Sequence, residues 1–166
     1  MTESTVNTDL YVVFTLDELL YGIRLSVAVR VLRAVEITPL PNAPSIVMGI
    51  IDLGGRIIPV VNIRRRFQLL ERQLELSDQL IVAMAVRRAS HQDAGRLLAL
   101  AVDTVVGVRE MSARDTTSAA TILPGLAYLE GVARTDEGLI VIHDLGTLLS
   151  LEEEKVLGVI MPVSAG

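Results

Sequence analysis

Two histidines, scattered carboxylates and a triple arginine are the residues of this chain with chemical reach. His143 is followed directly by Asp144 in VIHDL, a pair that could supply a general base and its orienting carboxylate. The surrounding run is apolar and β-branched, and adjacent strand residues point to opposite faces. The pair is therefore not read as a catalytic dyad. Asp144 reads instead as the cap of a helix beginning in LGTLLSLEEE. His91 lies in the polar stretch RRASHQDAG and reads as a solvated loop residue. The step Gly54-Gly55-Arg56 lacks the Lys-Ser/Thr of a phosphate loop and precedes a strand. No His, Asp or Glu set has metal-ligand spacing. The absence of cysteine excludes disulfides, thiolate metal sites and cysteine nucleophiles. No catalytic residue, metal or cofactor is expected. Arg64-Arg65-Arg66 stands at a strand exit, either solvated or placed to grip an acidic partner or phosphate. Glu152-Glu153-Glu154 reads as a solvated helix face.

The elements that must position these groups are aliphatic and mostly extended. Hydrophobic residues make up 51% of the 166 positions but aromatics only 3%, so the core is built from Val, Ile, Leu and Ala. The net charge of -5 is opposite to that of a globally basic nucleic-acid binder, and five aromatic rings are too few for base-stacking platforms. No apolar run reaches the roughly 20 residues of a membrane helix. The polar start MTESTVNTDL shows no signal pattern, so a cytoplasmic location is expected, without membrane insertion.

Residues 1–8 read as a flexible lead-in. From about Tyr11 the chain offers nine or ten short strands with turn signals every 8–12 residues, the pattern of a sandwich or barrel. Gly54-Gly55 between two apolar runs predicts a tight hairpin, because primed turns need positive φ. TPLPNAP is a rigid extended loop, and QLLERQLELSD (68–78) a connector or short exposed helix. QLIVAMAV is read as a buried strand, and SARDTTSAATILPG as a long loop. The apolar tail 156–166 is read as an edge strand, with an exposed docking segment as the alternative.

An internal repeat underlies this order. At an offset of 82, Gly49 meets Gly131, the turn residues 54–55 meet 136–137, and Asn62 meets Asp144. At an offset of 77, residues 21–32 match 98–109. Two similar barrels from one duplicated unit are expected.

The run YGIRLSVAVRVLRAVEITPLPNAPSIVMGIIDLGGRIIPVVNIRRRF (21–67) resembles the core of the CheW family, the coupling proteins of bacterial chemotaxis. Tyr21, Pro41, Pro44, Gly49, Gly55 and Arg64 fall at the family's spacing, and LAVDTVVGV, GVAR and LIVIHDL follow in its order. The resemblance spans roughly residues 9–152. It implies a mainly β fold of two small five-stranded, Src-homology-3-like barrel subdomains with short helices. A single domain over 9–155 is expected, divided near 9–76 and 77–155, with room for strand exchange. It also implies a non-catalytic scaffold linking chemoreceptor cytoplasmic hairpins to the regulatory domain of a CheA-type histidine kinase. The alternative is a small-barrel adaptor for another protein partner. Carried over by position, the partner surface falls on Ala28, Arg30, Gly49, Asp52, Leu53, Gly54 and Gly55. Arg56 and Arg64 are added as flanking cations. Two departures stand out: the family's Asn-Leu-Arg-Gly is Asp52-Leu53-Gly54-Gly55 here, and Arg30 replaces an acid. They imply a divergent or accessory member.

Overall fold

A computed structural model describes residues 8–86, 95–122 and 128–161 of the chain. His91 and the segments 1–7 and 162–166 lie outside them. The first half runs through β1 (Thr8–Leu16), β2 (Leu19–Arg24), a 3-10 turn and β3 (Ala28–Arg33). It continues through β4 (Val47–Leu53), β5 (Arg56–Val61) and the one-turn helix α1 (Ile63–Arg66). The second half comprises β6 (Gln79–Ala85), β7 (Arg96–Val102), β8 (Thr104–Ser112), β9 (Thr116–Ser118), α2 (Ala119–Ile122), β10 (Leu129–Thr135) and β11 (Gly138–His143). Helix α3 (Leu151–Ile160) follows. The stretch expected as one long loop after β8 thus carries a 3-10 turn (Ala113–Asp115), β9 and α2. The connector 68–78 has no helix.

The strands form two sheets, ordered β8-β1-β2-β11-β10-β9 and β3-β6-β7-β5-β4. The expected break at 76/77 does not separate them. β1 and β2 join the strands of the second half, and β6 and β7 join those of the first. The registers show why the break fails as a sheet boundary. Gly49 faces Val60 in the β4–β5 hairpin, and Gly131 faces Ile142 in β10–β11, 82 positions later. The pairing shifts between Val47 and Gly49 and again between Leu129 and Gly131. Val60 lies parallel to Ala99, and Ile142 parallel to Gly22, the second offset of 77. Each sequence repeat therefore lends its first hairpin to the other repeat's sheet.

This exchange accounts for the continuous apolar runs. In β1, Val12, Phe14 and Leu16 enter the large shared core, while Tyr11 and Val13 enter the core of their own sheet. In β6, Ile81 and Ala83 face the shared core, and Leu80 and Val82 the other. Strands covered on both faces need apolar residues at every position rather than alternation.

The tail departs from the edge-strand expectation. Ser150 caps α3 through a reciprocal capping box with Glu153, and Leu157 is fully buried in the shared core. The cap satisfies two orphan backbone donors, and a single aliphatic anchor docks the helix. These local signals outweigh the β-branched residues Val156 and Val159.

Candidate protein-docking surfaces

The residues singled out from the sequence separate into exposed and buried groups. In the β4–β5 hairpin, Asp52 Oδ1 accepts a hydrogen bond from the Gly55 amide at 2.8 Å and closes the turn. Gly54 and Gly55 hold φ of 59° and 90°, the left-handed region a primed turn requires. A Cβ at either would meet nothing within 4 Å, so conformation rather than crowding demands glycine. Asp52, Gly54, Gly55 and Arg56 are exposed, and Leu53 is half-buried. Beside them Ile57, directly across from Asp52, is 51% exposed, although sequence reading passed over it.

Ala28 and Arg30 lie on β3, an edge strand. Ala28 packs against the shared core, whereas Arg30 is exposed. The register shift between them leaves Val29 as the extra residue of a bulge, 59% exposed. Val31 is exposed as well. Their counterparts 77 positions on, Val106 and Val108, are exposed on β8, an edge of the other sheet. Unpaired edges with outward valines present both backbone donors and apolar surface.

Two expected contact residues are internal instead. Gly49 is buried: a Cβ there would stand 2.4 Å from the Thr38 carbonyl oxygen. Thr38 and Ile50 exchange backbone hydrogen bonds of 2.9 and 2.8 Å at this point. The glycine lets the proline-rich segment lie against β4. Arg64 is only 7% exposed. Its Nη1 donates to Asp17 at 2.7 Å and to the Leu70 carbonyl at 3.2 Å, and its Nη2 donates to Asp103 at 2.6 Å. Arg72 joins through bidentate 2.7 Å bonds to Asp78 and a 2.6 Å bond to Asp103. Burial alone would raise the Asp103 carboxyl. The bonds from Arg64 and the Asp17 amide outweigh it and hold the group below its ordinary value. An arginine committed to these partners braces the interior and offers no cation outward. Arg65 and Arg66 are likewise paired, with Glu71 and Glu153.

His143 is buried and stacked on Phe67 with ring centroids 3.8 Å apart, with Tyr21 and Tyr128 alongside. Burial pushes its pKa down to about 4. Asp144 turns away and caps the following 3-10 turn through Gly146 N at 2.9 Å. The histidine is a neutral core ring.

The fold defines a two-sheet β protein, and the exposed residues among those expected at a partner surface lie on a strand edge and a hairpin tip. Residues 10–153 match the family model described as CheW-like domain, and the chain belongs to that family. It is 29% identical over 148 residues to the chemotaxis protein CheW of Treponema pallidum (strain Nichols), covering 88% of this chain and 85% of that protein. It is 28% identical over 102 residues to protein FrzA of Myxococcus xanthus, covering 61% of this chain and 59% of the relative. Among solved structures it resembles the scaffolding protein TtCheW from Thermoanaerobacter tengcongensis, with a TM-score of 0.76 and 29% identity. That match covers 89% of this chain and 96% of the other. Family membership makes the chain a non-catalytic coupling protein of chemotaxis signalling. No helix of the described residues is long and apolar enough to cross a membrane.

Proposed function

We propose that the chain bridges the cytoplasmic hairpin of a chemoreceptor and the regulatory domain of a CheA-type histidine kinase. The observation that carries this reading is the pairing of an unpaired β3 edge, with Val29, Arg30 and Val31 outward, with an exposed Asp52–Ile57 hairpin tip. Edge strands and apolar tips rimmed by charge are protein-docking features. Ala28, Arg30 and Asp52, Leu53, Gly54, Gly55 and Arg56 form the contact surface in this reading. Gly49 and Arg64 act behind it, by shaping the segments that carry it.

A second reading is favoured by Arg30 and Gly54, which stand where the family carries an acid and an arginine. Charge complementarity selects partners, so these exchanges suit a kinase or receptor specific to this protein. Co-sedimentation with receptor-bearing membranes and a CheA-type kinase from the same organism tests both readings. Ternary recruitment with altered kinase output supports coupling, and its loss in Arg56→Glu supports the surface. Binding of neither partner by the folded protein would overturn the bridging role.

A further inference from the structure

The outer face of β9, β10 and β11 holds a groove of about 330 Å³ that the bridging surface does not include. Its position follows from register. Arg134 faces Leu139 across β10–β11, and Val132 faces Thr117 across β10–β9. These four share the side opposite the buried Ala133, Ile140 and Ile142. The turn after β8 brings Arg114 and Asp115 to the same groove. Its floor is therefore aliphatic, with Leu139 61% exposed, and its walls carry two guanidinium groups against one carboxylate.

The state of those guanidiniums is informative. Among the described residues Arg24, Arg64, Arg65, Arg66, Arg72 and Arg109 are held in ion pairs, whereas the exposed Arg30, Arg33 and Arg56 are not; only in this groove do two unpaired guanidiniums converge on one apolar floor. Among the described residues neither Arg114 nor Arg134 meets an acid. An acidic chain thus keeps a locally positive, apolar-floored groove. Nor is the feature a by-product of duplication, because the position equivalent to Arg134 in the first hairpin is Asp52.

We propose that this groove docks a short acidic-apolar segment of a partner protein. An aliphatic side chain of that segment lies on Val132 and Leu139, and its carboxylates meet Arg114 and Arg134. Guanidinium groups pair planar carboxylates in bidentate fashion. A nucleic acid fits poorly, since the lining holds no ring on which a base could stack and the net charge of -5 repels a polyanion. This surface lies on the other sheet from the Asp52–Ile57 tip and is independent of the bridging reading.

The test is an amide NMR titration of the ¹⁵N-labelled full chain. The probe is an acetylated peptide of alternating Glu and Leu, and the control alternates Lys and Leu. The proposal expects saturable shifts confined to β9, β10, β11 and the turn at Ala113–Asp115, and none there with the control. Arg114→Glu and Arg134→Glu, both on exposed residues, each weaken the acidic peptide about three- to fivefold while the remaining spectrum stays unchanged. Leu139→Ser weakens it by a similar factor. Absence of saturable shifts in the groove would overturn the proposal. So would equal binding of the control peptide, or full affinity in both arginine variants.

Discussion

The guanidinium of Arg64 and the carboxylate of Asp103 meet at 2.6 Å at the point where the chain passes from one sheet to the other. Asp103 separates β7 from β8, and Arg64 belongs to the helix that follows β5. Asp17, in the β1–β2 turn, completes the brace through Arg64 and donates its amide to Asp103 at 2.8 Å. The ion pair therefore fastens the crossover of one repeat to the helix that follows the last strand of the other. Removing one partner of a buried pair costs about 3–5 kcal/mol, and the half-exposed Asp17 reduces this. Arg64→Leu is expected to lower the unfolding free energy by about 2 kcal/mol in urea titrations. An unchanged midpoint would show that the brace is dispensable.

Acid should loosen the same cluster. Asp78 and Asp103 are held below their ordinary values by their arginine partners, against the opposing effect of burial. Groups with depressed folded pKa values contribute stability that is complete above the unfolded value of about 3.9 and is lost as pH falls through the folded one. Unfolding free energy should drop below about pH 4, and Asp103→Asn should flatten that drop while lowering the plateau.

His143 sets a second, higher window. Its folded pKa of about 4 lies below that of a free imidazole, so the unfolded state binds the extra proton first. Its contribution is complete above about pH 6.5 and is lost progressively as pH falls towards 4, by as much as about 3 kcal/mol. His143→Phe, which keeps a ring among Tyr21, Phe67 and Tyr128, should remove that slope. A variant with the wild-type slope between pH 6.5 and 4.5 would contradict this account.

The two kinds of glycine should answer differently to alanine. Gly49→Ala drives a Cβ into the Thr38 carbonyl and should destabilise the fold by about 2 kcal/mol or more. Gly54→Ala faces open space and should cost only about 1 kcal/mol for its left-handed backbone. Thermal midpoints of the two variants decide the ranking.

Leu157→Ala should cost about 2–5 kcal/mol, because it empties a site in the shared core. Val159→Ala, on an exposed helix position, should leave the midpoint unchanged. Equal effects would mean that α3 is not docked by Leu157.

Much of the fold was legible in the residues. Gly54-Gly55 marks its hairpin because a primed turn admits little else, and the two offsets match the pairing registers position for position. The unbroken apolar runs of β1 and β6 announce strands buried on both faces. Sheet membership was not legible, since an exchanged hairpin and a retained one have the same pattern of apolar residues. The site was legible only in part. Arg64 reads as an outward cation in a basic triplet, and its acids lie 47 and 39 positions away in sequence. The tail misled because an apolar end-segment fits the cover an open sheet edge needs, while the Ser150–Glu153 capping box that starts its helix lies upstream. Ile57 and Val29 escaped notice because an outward aliphatic side chain and a core one are identical in sequence.

The exchanged hairpins also bear on synthesis. When a ribosome has released the chain only as far as the connector at 68–78, β1 and β2 lack β8 and β11, and β3 and β5 lack β6 and β7. The nascent first half therefore carries four sticky edges and no finished sheet. It must wait, shielded from neighbours, until the second half emerges and both sheets close together.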